Sequence, residues 1–197
     1  MSSALFQLES SPLFHILRLT SPDGTNRLTR ACVLALTQAI QKLTLEAQPL
    51  IITGNPRFFS VGADLSEIAA LTGPEAYAFS AIGQALMHAV ASYPASVIAA
   101  IESHCMGGGL DLALACHSRI AAPSAVFGHR GAVLGLITGW GGTQRLPRLI
   151  GKGRALELFV AAEKISAARA FEIGLVDAIA ADPVNEAICQ LSQSPEP

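Results

Sequence analysis

Short apolar runs that alternate with segments of helical periodicity constrain the fold of this chain more than any other feature of its sequence. The runs at 50–53 and 96–101 are rich in aliphatic residues and end at turn-forming residues, which is typical of buried strands. Between them, residues 74–92 repeat apolar side chains at the spacing of one helix face. Strands and helices that alternate in this way indicate an α/β fold.

The same pattern assigns the remaining elements. It predicts strands over residues 14–19, 50–53, 96–101, 119–122 and 175–179, and helices over residues 29–45, 74–92, 110–116, 154–161 and 167–173. The chain has neither a linker-like nor a low-complexity segment, and its 197 residues suit a single domain. We therefore expect one core over residues 1–180, followed by a short C-terminal tail over residues 181–197.

Composition and charge narrow the class of protein. Hydrophobic residues make up 51% of the chain and charged residues 14%, which indicates a globular protein, and a net charge of −2 gives no strong field for nucleic acid or an acidic membrane. Met1–Ser11 lacks the pattern of a signal peptide, and no apolar run has the length of a membrane span. The four cysteines show no metal-like spacing, so thiols in a reducing compartment are expected. These features predict a cytoplasmic protein without a metal, a nucleic-acid partner or a membrane partner.

Two glycine-containing turns are the main candidates for chemistry. Residues 60–65 and 106–112 each follow a predicted buried strand, and the second turn, with Gly107-Gly108-Gly109, opens a predicted helix. Glycine allows a ligand to approach the backbone closely, and the first N–H groups of a helix have no partner within it. If N–H groups from both turns converge, they form an oxyanion hole for a carbonyl oxygen that gains negative charge.

Each turn, taken singly, is also consistent with a purely structural role. A glycine triplet after a strand occurs as well where a helix packs closely against a sheet. A phosphate-binding P-loop is excluded because no Gly-Lys-Ser/Thr sequence ends the turn. The spacing of residues 107–109 also differs from the dinucleotide-binding fingerprint.

Several motifs taken together resemble the crotonase family of enoyl-CoA hydratases and isomerases. The first is the segment 57–65, and the second is the strand 97–101 leading into Gly107–Cys116. Gly141–Arg148 and residues 165–176 follow in the order and spacing of the family. The resemblance covers roughly residues 12–180.

This resemblance implies both a fold and a ligand. The fold is a spiral of ββα units, here with the C-terminal helical segment of the family largely missing, and residues 1–180 become an acyl-CoA-binding core. The backbone N–H groups of Ala63 and Gly108 hold the thioester carbonyl, while Arg27, Arg57 and Val61 join them in binding CoA. CoA enters as part of an acyl-CoA substrate and no other cofactor is implied. The family usually assembles as homotrimers or hexamers.

The sequence departs from the family at its two catalytic carboxylates. Hydratases of the family carry a glutamate two residues after the glycine triplet, where this chain has Asp111. They carry a second glutamate where this chain has Gly131. Asp111 lies in the first turn of its helix, where the helix dipole favours a negative charge and suits a base. The alternative is a carboxylate that only stabilises the start of the helix.

His129 is the candidate to replace the second carboxylate. Histidine is the side chain most often used as a general acid or base. The alternative is a polar histidine in a loop. With Asp111 and His129 as its acid/base groups, the chain is expected to be an acyl-CoA enzyme of the hydratase/isomerase type. A catalytically weak acyl-CoA-binding or assembly subunit, and a structural relative that does not bind CoA, are the alternatives.

Overall fold

The computed structural model describes residues 5–193, which form twelve strands and eight helices. The strands are β1 (Phe6–Ser10), β2 (His15–Leu19), β3 (Arg27–Leu28), β4 (Leu50–Thr53), β5 (Phe58–Ser60), β6 (Gly62–Ala63), β7 (Val97–Ile101), β8 (His104–Met106), β9 (Ser118–Ala121), β10 (Val126–Gly128), β11 (Lys164–Ser166) and β12 (Ala178–Ile179). The helices are α1 (Arg30–Leu43), α2 (Leu65–Ala69), α3 (Gly73–Ala91), α4 (Gly108–Ala115), α5 (Gly142–Ile150), α6 (Lys152–Ala161), α7 (Ala167–Glu172) and α8 (Pro183–Gln193), and Gly131–Leu134 form a 3-10 turn.

Two sheets carry the fold. The larger sheet has the order β1-β2-β4-β7-β9-β12, with β1 antiparallel to β2 and every other pair parallel. The smaller sheet has the order β11-β10-β8-β5, and β3 pairs with β6 separately. Three times, a strand of the large sheet is followed by one of the small sheet: β4 by β5, β7 by β8, and β9 by β10. This repetition is the predicted spiral of ββα units, and the predicted α/β class is confirmed.

The core lies on both faces of the large sheet. Strands β4 and β7 are buried along their whole length because they sit at the centre of this parallel sheet. One face packs with helices α1 and α3. The other carries Ile51 and Ile98 and is covered by α8, on which Ala187 is fully buried. None of the helices in residues 5–193 combines the length and the apolar composition that a membrane crossing requires.

One buried cation ties the end of the large sheet together. Arg119 on β9 is 4% exposed. Its guanidinium donates to the carbonyl oxygens of Leu175, at 2.8 Å, and Cys116, at 3.1 Å, and pairs with the Asp177 carboxylate at 2.9 Å. A buried charge is tolerated only when it is paired and hydrogen-bonded. These contacts therefore hold the segment that joins α7 to β12 against strand β9.

Most predicted elements are present, with shifted ends. The helix predicted over 110–116 begins at Gly108, and the strand predicted over 175–179 shortens to β12. Strand β1 and helix α8 were not predicted: much of the segment expected to be a tail forms α8 against the sheet. The end of that predicted tail, residues 194–197, lies outside the described residues, and the division at residue 180 stays a prediction.

The packing of α8 gives a first test. Ala187→Glu should lower the free energy of unfolding by about 3 kcal/mol, because it places an unpaired carboxylate against the buried face of the sheet. Urea unfolding followed by circular dichroism measures this change. Asn185→Glu puts the same charge on the exposed side of α8 and should change the free energy by less than about 0.5 kcal/mol. Equal effects of the two variants would contradict the packing.

Candidate active site

The two glycine turns meet at the end of the small sheet. Gly62 has φ +91°, and a Cβ atom there would lie 2.6 Å from the Gly108 nitrogen and 2.8 Å from the Met106 carbonyl oxygen. A Cβ atom on Gly109 would lie 2.7 Å from the Ser60 carbonyl oxygen. Side chains at these positions would collide with backbone, so the close approach of the two segments depends on glycine.

The start of helix α4 is held next to Ala63. Gly107, at φ +52°, precedes the helix, and its N–H donates to the Gly128 carbonyl at 3.0 Å. A Cβ atom on Gly108 would lie 3.3 Å from the Ala63 nitrogen, so the two backbones are in contact there. The structure thus brings together the two residues predicted to hold a thioester oxygen. The N–H of Gly108 is among the first of the helix, which have no intrahelical acceptor.

A buried asparagine supports the first turn. Asn26, at φ +55°, donates from its side chain to the carbonyl oxygens of Phe58, at 2.9 Å, and Phe59, at 3.1 Å. Its own carbonyl accepts from the Ser60 hydroxyl at 2.6 Å, and that hydroxyl accepts from the Gly62 N–H at 3.0 Å. The support that Asn26 and Ser60 give to this turn through their hydrogen bonds was not predicted. The tolerance of asparagine for a left-handed conformation is the one signal that the sequence offers.

Trp140 is another residue that was not predicted for the site. Its side chain is 4% exposed and packs against the Phe79 ring at a centroid distance of 5.4 Å. A Cβ atom on Gly108 would lie 2.5 Å from Trp140 Cζ3, and a Cβ atom on Gly83 would lie 2.0 Å from Trp140 Nε1. The indole therefore fits between these two glycines and forms a wall beside the start of α4.

Asp111 is buried one turn into α4, with 2% of its surface exposed. Its Oδ2 accepts from the Thr138 hydroxyl. Its Oδ1 lies 3.5 Å from His129 Nε2 and would be 2.2 Å from a Cβ atom on Gly142, the first residue of α5. The carboxylate thus lies close to the starts of two helices, where partial positive charge favours an anion.

His129 reaches Asp111 from the end of strand β10. Its ring is 7% exposed and stands edge-on to Phe159, at a centroid distance of 5.4 Å. Among the described residues, His129 Nε2 and Asp111 Oδ1 are both buried without a hydrogen-bond partner. The pair is therefore poised to hold a proton, or a ligand group, between an imidazole and a carboxylate.

Arg145 is a cation behind this pair. It donates to the Trp140 carbonyl at 3.2 Å and to the Met87 carbonyl at 3.4 Å. Burial lowers the pKa of Arg145, whereas the negative charge of Asp111 acts in the opposite direction. Arg145 remains charged, so it balances part of the buried negative charge without touching the carboxylate.

A cavity of about 370 Å³ opens in front of these groups. Its lining includes five residues predicted for the site, namely Val61, Ala63, Gly108, Asp111 and His129. Its walls are mostly apolar, and they include Ile68, Leu71, Phe79, Leu134 and Leu136. An apolar cavity with a few converging polar groups is the usual form of a small-molecule site.

The two predicted CoA-binding arginines lie away from this cavity. Neither Arg27 nor Arg57 is part of its lining. Arg27 is about half exposed and pairs with Asp23 and Asp64, each at 3.2 Å. The Ser66 hydroxyl and backbone N–H groups at the start of α2 lower the pKa of Asp64 to about 2. Arg57 lies 5.6 Å from the centre of the Phe58 ring.

The structure has no room for a second carboxylate at position 131, where hydratases of the family carry a glutamate. A Cβ atom on Gly131 would lie 2.7 Å from the Leu136 carbonyl oxygen, and the Gly131 carbonyl accepts from the Leu136 N–H at 2.9 Å. The tight turn over residues 131–136 therefore leaves no room for a side chain at position 131. Within residues 5–193, no group of three or more His, Cys, Asp or Glu side chains is placed to bind a metal ion.

Comparison with known proteins identifies the family. The family described as enoyl-CoA hydratase/isomerase matches residues 14–193 of the chain. The chain belongs to the enoyl-CoA hydratase/isomerase family. This confirms the family predicted from the sequence motifs.

Two relatives of the family align with most of the chain. The chain is 42% identical over 170 residues to a probable enoyl-CoA hydratase of Bacillus subtilis, covering 85% of this chain and 66% of that protein. It is 38% identical over 175 residues to a crotonyl-CoA hydratase of Syntrophomonas wolfei, covering 87% and 67%. The chain thus spans about two thirds of the length of these relatives.

Solved structures of family members share the fold. An enoyl-CoA hydratase from Bacillus anthracis superimposes with a TM-score of 0.91 at 35% identity, covering 96% of this chain and 76% of that one. DspI from Pseudomonas aeruginosa gives a TM-score of 0.92 at 31% identity, covering 99% and 78%. The crotonase-like architecture predicted from the sequence is therefore confirmed.

The cysteines give a test of the site's interior. Burial raises the pKa of Cys32 and of Cys116 to about 12, and raises that of Cys105 well above its usual range, while Cys189 is exposed on α8. Because the thiolate is the reactive form, iodoacetamide at pH 8 should label Cys189 alone in the folded protein. Mass spectrometry of the intact chain should show one adduct, and four adducts after unfolding in urea. Labelling of Cys105 in the folded state would contradict the packing beneath Asp111.

Proposed function

We propose that this chain acts on an acyl-CoA thioester as a lyase or isomerase of the enoyl-CoA hydratase/isomerase type. The observation that carries this proposal is the meeting of the two glycine turns beside a cavity that also contains the buried Asp111–His129 pair. The names of the relatives, enoyl-CoA and crotonyl-CoA hydratases, support an enoyl-CoA substrate.

The backbone of the two turns supplies the electrophilic part of the reaction. The N–H groups of Ala63 and Gly108 hold the thioester carbonyl oxygen, and the positive end of helix α4 lies behind it. When a proton leaves the carbon next to the carbonyl, or a nucleophile adds to the double bond, negative charge moves onto this oxygen. Fixed donors stabilise that enolate without reorganisation, and loss of one typically costs about 10²–10³ in rate.

Asp111 and His129 supply the acid/base part. In hydration, Asp111 takes a proton from water as the oxygen adds to the β-carbon, and protonated His129 delivers a proton to the α-carbon as the enolate collapses. With 3.5 Å between Asp111 Oδ1 and His129 Nε2, no water fits between the two atoms, so the reacting water lies on their cavity side. In isomerisation, the same pair moves one proton between two carbons of the chain.

The rest of the ligand extends from the cavity. The apolar walls suit an acyl chain, and the exposed cations Arg27 and Arg57 meet the phosphates of CoA, with Arg27 exchanging part of its contact with Asp23 and Asp64. CoA belongs to the substrate, and the reaction uses no further cofactor. The chain acts in the cytoplasm, as its sequence features predict, and as a homotrimer or hexamer, as the family resemblance implies.

Loss of the Asp111 carboxylate tests this proposal. The wild-type protein should remove the ultraviolet absorbance of the conjugated thioester in crotonyl-CoA. Asp111→Asn should lower the rate by about 10²–10⁴-fold, which is the usual contribution of a general acid or base. His129→Gln should produce a loss of the same class.

The control measures by calorimetry how tightly the same variants bind acetyl-CoA, a thioester that cannot be hydrated. Both variants should bind it as the wild-type protein does if the two side chains act on protons. Wild-type protein that binds acetyl-CoA without turning over crotonyl-CoA would favour the alternative, a catalytically weak acyl-CoA-binding subunit. Full activity in Asp111→Asn would return Asp111 to a structural role.

Substitution of Gly108 tests the oxyanion hole separately. Gly108→Val should lower turnover by at least about 10²-fold, because its Cβ would lie 3.3 Å from the Ala63 nitrogen and 2.5 Å from the Trp140 ring. Gly153→Val in α6 is the control, since a Cβ atom there meets nothing within 4 Å. The two variants should keep the same circular dichroism spectrum. Unchanged turnover in Gly108→Val would exclude this position as an oxyanion donor.

A further inference from the structure

We propose that Thr138 is a positioning residue that holds the Asp111 carboxylate in one orientation and leaves Oδ1 as the oxygen that exchanges a proton. This inference rests on the proposed acid/base role of Asp111. It concerns a residue 27 positions away in sequence, and its hydroxyl contacts the buried Asp111 carboxylate directly.

The two oxygens of Asp111 have different surroundings. Oδ2 accepts from the Thr138 hydroxyl, whereas Oδ1 is buried with no hydrogen-bond partner among residues 5–193. Oδ1 is also the oxygen that lies 3.5 Å from His129 Nε2. Thr138 therefore occupies one acceptor of the carboxylate and leaves the other available to His129 and a substrate.

The orientation of the Thr138 side chain is fixed from two sides. The Trp140 N–H donates to Thr138 Oγ1 at 3.4 Å, so the single hydroxyl proton is free to point at Asp111. The methyl group Cγ2 faces Gly142, where a Cβ atom would lie 2.8 Å away. Because a β-branched side chain has few favourable rotamers, the hydroxyl stays directed at Oδ2.

The loop that carries Thr138 is itself anchored to helix α3 and to α5. The Gly139 carbonyl accepts from the Ser80 hydroxyl, at 2.9 Å, and from the Gln84 amide, at 2.8 Å. The Trp140 carbonyl accepts from Arg145. These contacts do not involve Asp111, so the loop supplies a fixed point to which the carboxylate is attached.

The attachment to Thr138 matters because the Asp111 carboxylate could otherwise rotate. Asp111 has one rotatable bond between Cβ and its carboxylate, and rotation about that bond exchanges Oδ1 and Oδ2 or tilts both away from His129. A misplacement of about 1 Å can cost about 10²-fold in rate. A donor that binds just one of the two carboxylate oxygens prevents this rotation, and it does so without contacting the reacting atoms.

The test compares Thr138→Val, which keeps the shape and loses the hydroxyl, with Thr138→Ser, which keeps the hydroxyl. Turnover of crotonyl-CoA should fall by roughly 10- to 100-fold in kcat for Thr138→Val, with KM changed less than about threefold. Thr138→Ser should recover most of kcat. Thr37→Val, the same change on helix α1 where the hydroxyl donates to the Val33 carbonyl at 2.8 Å, should match the wild-type protein.

The Asp111→Asn background shows whether Thr138 acts through Asp111. In that background Thr138→Val should cause no further loss of kcat, because residues that act through one group are not additive. Equal losses in both backgrounds, or an unchanged kcat in Thr138→Val, would overturn the proposal while leaving the proposed function intact.

Stability separates the remaining outcomes. Urea unfolding of the two single variants and the double variant should show coupling between positions 111 and 138, whether or not the protein turns over crotonyl-CoA. If coupling is present but Asp111→Asn keeps full activity, the proposed function fails and the positioning role fails with it. If Asp111→Asn is inactive and coupling is absent, only the positioning role is overturned.

Discussion

The contact between Gly62 and the start of helix α4 is the constraint on which the rest of the site depends. A single Cβ atom at Gly62 would lie 2.6 Å from the Gly108 nitrogen, so any larger residue would push the two turns apart. Parallel pairing of β5 with β8 brings these turns to the same edge of the small sheet. The fold therefore sets the site by backbone packing, and the side chains Asp111, His129 and Trp140 occupy positions that this packing defines.

The same helix start has to accommodate two negative charges. Asp111 lies in the first turn of α4, and the proposed enolate oxygen sits against the N–H of Gly108, so the two anions would repel each other. His129 offsets this repulsion when it is protonated, because its Nε2 lies 3.5 Å from Asp111 Oδ1. Arg145, which donates to the Trp140 carbonyl, adds a second and more distant positive charge. A histidine, rather than another carboxylate, is thus electrostatically suited to a site that already contains a buried aspartate.

Local sequence patterns predicted the parts of the site that depend on local geometry. The glycine turns and the helix after them follow from backbone conformation. Asp111 and His129 were instead selected by comparison with the catalytic positions of the family, and the parallel pairing of β8 with β10 brings them together. Thr138 and Trp140 were not predicted as site residues, because their contacts depend on the path of a loop that crosses from β10 to α5. The family resemblance implies a CoA contact for Arg27, which stays a prediction, and the sequence did not reveal that Asp23 and Asp64 pair with this side chain. Helix α8 was missed since its apolar face is short and interrupted by polar residues.

Asp111, which is one methylene shorter than a glutamate, is in close contact with its neighbours. Gly142 lets the start of α5 approach so closely that a Cβ atom there would lie 2.2 Å from Oδ1, and Thr138 reaches Oδ2 from the same loop. The start of α5 and the Thr138 hydroxyl therefore confine this short side chain from two sides. Position 131 has no room for a carboxylate, and the proposed acid/base partner of Asp111 is instead His129, two residues earlier at the end of β10. The site thus retains two titratable groups in contact, although neither is the glutamate found in typical hydratases of the family.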